Sequence, residues 1–280
     1  MLGSACLHVV LHVLLKRARD RTSFVWWMWF WASLFFLPVP LRYWQAIPAS
    51  TWGLLVVSAL FEALYYVSIT RAYKEGDLSV VYPLARGTAP LFILLWSVLF
   101  LRERVSLGGV LGIAIVALGL YAINLPRLSA WKNAWRSFGQ PAARLALLSG
   151  LCISLYTTLD KVGVRSVVPQ TYTYLAMTLT LVWLTPPTLK EVGVAGLLAE
   201  LRSSRWSSVV AGLFAMSAYG IVLFAMQVGA QASYAGAVRE ISIVFGAAAG
   251  ILLLKEAGSM MRLVGAALIA VGVATIALFG

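Results

Sequence analysis

The sequence predicts an all-α integral membrane protein, with ten transmembrane helices arranged as two inverted five-helix repeats. Three observations lead there. Hydrophobic residues make up 61% of the 280 positions and charged residues 11%, against roughly 45–50% and about 25% in soluble domains. Apolar runs of spanning length follow one another with short breaks between them. The second half of the chain also repeats part of the first in register.

A spanning helix needs roughly 20 mostly apolar residues, so this length holds around ten and leaves little for a soluble catalytic domain. The formal charge is +12. Most of the Lys and Arg lie between apolar runs, where cations set orientation and meet anionic headgroups rather than nucleic acid. The two cysteines, Cys6 and Cys152, sit inside apolar runs and read as small buried hydrophobes, with no disulfide framework.

Element by element, apolar runs fall at about 2–18, 23–41, 51–73, 78–101, 106–124, 145–163, 169–187, 207–229, 232–254 and 260–279. They are too long, and lack the period-two alternation, for strands of a membrane barrel. The first run has no basic residues before it and is followed by Lys16, Arg17, Arg19 and Arg21, so it reads as a retained helix and not a cleaved signal. The second carries Trp26, Trp27, Trp29 and Trp31 on every face, the pattern of a lipid-facing or interfacial segment. Loops are expected at about 125–144 and 188–206. The first of these divides the chain into repeats 1–124 and 145–280.

The repeat is visible on a shift of 153 residues. Ala72 then meets Ala225, Gly76 meets Gly229, Arg86 meets Arg239, and Glu103 meets Glu256. Gly112 meets Gly265 and Gly119 meets Gly272, without a gap over about fifty residues. An odd number of helices per copy makes the second copy enter from the opposite side, as in many secondary transporters. Counting Lys and Arg by side gives about 15 against about 5, which puts both termini outside by the positive-inside rule.

Ionisable residues deep in apolar runs are the first functional candidates, because a charge at the bilayer centre costs at least about 2.5–3.5 kcal/mol. These are Glu62, Arg86, Arg239 and Glu240. Arg86 lies about 12 Å into its helix at 1.5 Å per residue, and Arg239 holds the equivalent place in the second copy. Together they would hold an anionic group at the midplane, with Glu62 or Glu240 as counter-ion or proton carrier; the structural alternative is an ion pair that binds helices together. The tyrosines Tyr65, Tyr66, Tyr82, Tyr156, Tyr219 and Tyr234 lie near these charges in sequence and offer rings and hydroxyls to a solute. Glu62, Tyr65 and Tyr66 share a helical face, as do Tyr82 and Arg86. Gly108 and Gly112, and Gly246 and Gly250, have the small-xxx-small spacing of close helix approach. His8 and His12 are four apart, but nothing near them in sequence completes a metal set, so packing or cavity lining is expected of His12. No nucleophile elbow, phosphate loop or dinucleotide fingerprint occurs, so no enzyme and no cofactor are expected.

The stretch Ser79-Val80-Val81-Tyr82-Pro83-Leu84-Ala85-Arg86-Gly87, followed by Leu101-Arg102-Glu103-Arg104 and by the second-copy Leu254-Lys255-Glu256, resembles the drug/metabolite transporter superfamily, EamA type. The run His8 to Lys16 is similar to a first-helix pattern of some members in which His precedes Trp-Asn and then Lys; here Leu11 and His12 stand in the Trp and Asn places. The resemblance implies ten helices, a central cavity lined by helices 1, 3, 4, 6, 8 and 9, and transport of small metabolites, amino acids, amines or drugs. It also implies cytoplasmic termini, opposite to the charge count.

The expected protein is therefore a multi-pass transporter of the plasma membrane, the inner membrane in a bacterium. Its expected partners are a small-molecule substrate, membrane lipids, and protons or another coupling ion, as monomer or homodimer and without nucleic acid. The competing readings are a flippase for a lipid or lipid-linked headgroup and a non-transporting membrane scaffold. A scaffold would seal the arginines with carboxylates and leave no cavity between them.

Overall fold

Without water to satisfy backbone groups, an apolar run closes its hydrogen bonds within itself, and helix is the result. A computed structural model describes residues 2–75, 78–123, 140–245 and 260–280; the side chains of Leu2, Val9, His12, Lys16, Tyr82, Pro83 and residues 78–80 fall outside the description. Most of the predicted 125–144 loop, Gly246, Gly250 and the Leu254-Lys255-Glu256 stretch therefore lie outside it. All regular structure among the described residues is helical.

The helices are α1 (Leu2–Arg17), α2 (Arg21–Phe35), α3 (Pro38–Arg42), α4 (Ala49–Glu75), α5 (Leu78–Leu99) and α6 (Leu107–Ala122), then α7 (Pro141–Gly163), α8 (Pro169–Gln227), α9 (Ala232–Arg239) and α10 (Met260–Phe279). A further helical stretch covers 241–245. Their ends follow local chemistry. The Asp20 side chain accepts from the Ser23 amide and starts α2. Ser106 does the same for Gly109 and starts α6. Pro169 opens α8 and holds Val168 extended before it. Leucines on α6 and α10 are well exposed, as a lipid-facing surface requires.

Five helical segments among the described residues are long and apolar enough to cross a membrane: Arg21–Arg42, Ala49–Glu75, Pro141–Gly163, Pro169–Gln227 and Met260–Phe279. The predicted loop at 188–206 is a correction. This region is helical within α8, broken only at Gly193, with φ 66°, and at Ser204. Leu197 and Glu200, one turn apart, are buried, and Glu200 accepts the Asp20 amide at 2.9 Å.

By packing the chain divides into two compact units. One holds Gly3–Val67 and Leu159–Gly229, the other Ser68–Thr158 and Ala230–Gly280. Each unit thus draws on both sequence repeats.

In the first unit α2 packs along α8. Phe24, Val25, Met28, Trp29 and Ala32 are its buried face. This corrects the lipid-facing reading of the tryptophans. Trp29 is in the core at 2% exposure. Trp26 donates to Thr185 Oγ1 at 2.9 Å, and Trp27 to the Leu197 carbonyl at 2.8 Å. Sequence shows Trp all round the helix; only the position of α8 selects the buried face. Cys6 is likewise exposed, not buried, whereas Cys152 is buried as expected.

In the second unit the main helix pair is α6 with α10. Gly108 meets the Phe279 backbone, Gly112 meets Gly272 and Gly119 meets Gly265, so the two helices run antiparallel. Cβ atoms placed on Gly112 and Gly119 would lie 2.8 Å from the Gly272 and Gly265 carbonyl oxygens. The 153-residue shift turns one of these two contacts into the other.

Candidate functional site

Buried charge in a membrane helix requires a partner or a function, and each unit contains one such cluster. In the second unit, Arg86 lies eight residues beyond the start of α5 and Arg239 closes α9. Glu240 follows at the break between α9 and the 241–245 stretch. Arg86 Nη2 lies 3.0 Å from Glu240 Oε2, and Arg239 Nε 3.8 Å from Glu240 Oε1. All three are buried, at 7%, 5% and 1% exposure. The two arginines that the repeat equates thus share one carboxylate. Glu240, one of the two expected counter-ions, engages both. On the 153-residue shift Glu240 falls opposite Gly87, so this carboxylate belongs to the second copy alone.

The first unit contains a carboxylate cluster. Asp160, near the end of α7, is fully buried. Its Oδ1 accepts from the Ser58 hydroxyl of α4 at 2.5 Å and from the Tyr172 hydroxyl of α8 at 2.9 Å. Its Oδ2 accepts from the Tyr219 hydroxyl, also of α8. Gly163 makes this possible, since a Cβ there would strike the Tyr172 ring. One turn beyond Ser58 lies Glu62, 5% exposed, whose Oε2 accepts from Thr180 at 3.1 Å. Next to Asp160, Lys161 donates to the Met226 carbonyl at 2.6 Å, in the last turn of α8, where a cation meets the negative end of the helix.

The remaining sequence candidates divide as follows. The rings of Tyr65 and Tyr66 lie 4.7 Å apart, and Tyr66 meets Trp29 edge-on at 6.2 Å. Tyr156 is buried in the second unit. Tyr234 lies against Gly109, and its hydroxyl accepts the Ser106 amide at 3.2 Å, so it braces the start of α6. Tyr82 and His12 have side chains outside the description. Among the described residues no group of three metal-ligating side chains occurs.

Asp160, Ser58, Tyr172 and Thr180 were not among the sequence candidates. Asp160 stands three residues from the end of α7, beside a lysine, so along the chain it resembles a boundary charge. Its full burial and the convergence of hydroxyls from α4 and α8 are tertiary facts. The nearest sequence signal was the presence of an acidic residue inside the 145–163 run.

The acidic residue of the Leu101-Arg102-Glu103 stretch also has a position. Glu103 accepts the Ala232 amide at 2.9 Å and the Ser233 hydroxyl at 3.2 Å, satisfying the start of α9. Arg102 adopts a left-handed φ of 54° in the turn that brings it there.

The EamA-like transporter family matches residues 1–125 and again 140–278. The chain belongs to this family. An uncharacterized transporter of Archaeoglobus fulgidus is 34% identical over 106 residues, which is 38% of this chain and 34% of its own. An uncharacterized transporter in the cobO 3′ region of a Sinorhizobium species is 36% identical over 73 residues, 26% of this chain and 51% of its own. The matched stretches span about a third and about half of those relatives. One crystal structure of a protein superposes with a TM-score of 0.76 at 16% identity, over 99% of this chain and 94% of that one. The EamA-like chain thus shares its fold with a solved structure. It is a multi-pass membrane protein by family and by its apolar helices.

Proposed function

We propose that this EamA-like protein is a secondary transporter of small organic solutes in the plasma membrane, working by alternating access between two inverted five-helix copies. The reciprocal glycine contacts of α6 and α10 carry this reading. Two copies related by a twofold axis in the membrane plane bring equivalent helices together antiparallel, with each contact matched by its repeat image. Gly112 with Gly272 and Gly119 with Gly265 fit that pattern. Such symmetry makes inward-open and outward-open packings similar in energy.

Arg86 and Arg239 are proposed to engage an anionic group of the solute, with Glu240 as the internal carboxylate they hold when no solute is bound. The sharing of one buried carboxylate by both arginines supports this, because an anionic group of the solute can take its place between them. Tyr156, buried in the same unit, is proposed as a further solute contact.

Purified protein screened by thermal shift against a metabolite library should show stabilisation by its solutes, since a ligand of the folded state raises the melting point by mass action. In vesicles, radiolabelled solutes so identified should exchange across the membrane. Arg86→Ala should lose that exchange while the protein stays in the membrane. Exchange at the wild-type rate in this variant assigns the ion pair to structure alone, as a scaffold would use it.

A further inference from the structure

Asp160 occupies a buried position that recognition by the arginines does not use. Its carboxylate has no solvent exposure and lies in a helix of spanning length. Its partners are three hydroxyls, from Ser58, Tyr172 and Tyr219. No lysine, arginine or histidine pairs with it among the described residues. The groups around it are Ser58 on α4, with Glu62 one turn on, Tyr172 and Tyr219 on α8, and Lys161 beside it on α7, directed to the Met226 carbonyl.

An ionised carboxylate without a cation is costly in apolar surroundings. Here three O–H donors hold the anion. Each hydroxyl is also a rotor that can turn to accept from a protonated acid. The cage therefore suits both the charged and the neutral carboxyl. It is also assembled from separate elements. Tyr172 and Tyr219 belong to parts of α8 on opposite sides of the breaks at Gly193 and Ser204, and Ser58 belongs to α4. A rearrangement that parts these segments removes donors from the anion and admits water, so the protonation state and the conformation bias one another.

We infer that Asp160 binds the coupling proton of the transport cycle, taking it from water when the hydroxyl cage opens on one side and returning it when the cage opens on the other. This rests on the transport reading above.

Infrared difference spectroscopy of the full chain in lipid vesicles, stepped between acid and alkaline buffer, uses the proton itself as the probe. The expected result is a carboxylic-acid carbonyl band in acid, lost in Asp160→Asn and kept in Glu62→Gln and Glu240→Gln. Persistence of the band in Asp160→Asn overturns the proposal. Tyr219→Phe deletes one donor, leaves the carboxyl in place and should shift the midpoint of the band; an unmoved midpoint counts against the cage. With a radiolabelled solute that exchanges in vesicles, one pH unit should drive about tenfold accumulation if one proton moves per solute. Asp160→Asn should keep the exchange and lose the accumulation. Exchange with no response to the gradient in wild type refutes the proton and spares the transport reading. No exchange for any solute removes the transport reading, and the infrared band decides the proton site separately.

Discussion

Gly112 and Gly272 touch through their backbones. A Cβ on Gly112 would lie 2.8 Å from the carbonyl oxygen of Gly272, and a Cβ on Gly272 would lie 2.7 Å from that of Gly112. In hydrocarbon, helices associate through close packing and not through exclusion of water, so small residues decide which helices meet. A side chain at either position forces α6 and α10 apart.

Gly272→Leu is accordingly expected to lower stability by about 1–3 kcal/mol, as overpacking does. Thermal unfolding in detergent reads the change. Gly53 on α4 is the control, because nothing lies within 4 Å of a Cβ added there. Gly53→Ala should raise stability by about 0.5–1 kcal/mol through the lower entropy of the unfolded chain. Equal losses at the two sites would contradict the packing argument.

The Arg86–Glu240 pair gives a second expectation. Removing Glu240 leaves buried guanidinium groups without their carboxylate, and Glu240→Ala should cost about 3–5 kcal/mol. The double variant with Arg86→Ala should cost less than the sum of the two singles, with a coupling of about 0.5–3 kcal/mol. Additive losses in unfolding measurements would show that the two groups do not depend on each other.

The tryptophans of α2 separate by burial. Trp29→Ala should cost about 3–5 kcal/mol, the range for an aromatic lost from a core. Trp27→Phe removes the hydrogen bond to the Leu197 carbonyl and should cost about 1 kcal/mol. Trp44, 63% exposed, lies beyond α3, and Trp44→Ala should stay within about 0.5 kcal/mol. Melting curves of the three variants in one detergent test the order.

Glu103 and Arg102 make a paired test of the turn after α5. Glu103→Ala strips the start of α9 of its acceptor and should cost about 0.5–2 kcal/mol, the usual range for a lost cap. Arg102→Gly relieves a left-handed φ and should be neutral or stabilising by up to about 1 kcal/mol. A destabilised Arg102→Gly protein would mean that the arginine side chain, and not the backbone of the turn, matters there.

Chemistry local to the chain was legible in the sequence. Long apolar runs dictate helices wherever backbone groups must be satisfied without water, and the membrane class and most helix positions follow from that. Arg86 and Arg239 stood out because charge is rare in such runs, and both are buried beside Glu240. Only the tertiary structure decided which face of α2 is buried, that 188–206 continues as broken helix, and that Glu240 holds Arg86. The hydroxyl cage of Asp160 is of the same kind: Ser58, Tyr172 and Tyr219 are far apart along the chain and are ordinary in composition. What joins them is the packing of α4, α7 and α8, and hydropathy is blind to it because each of these helices reads as one long apolar run in which single polar residues barely register.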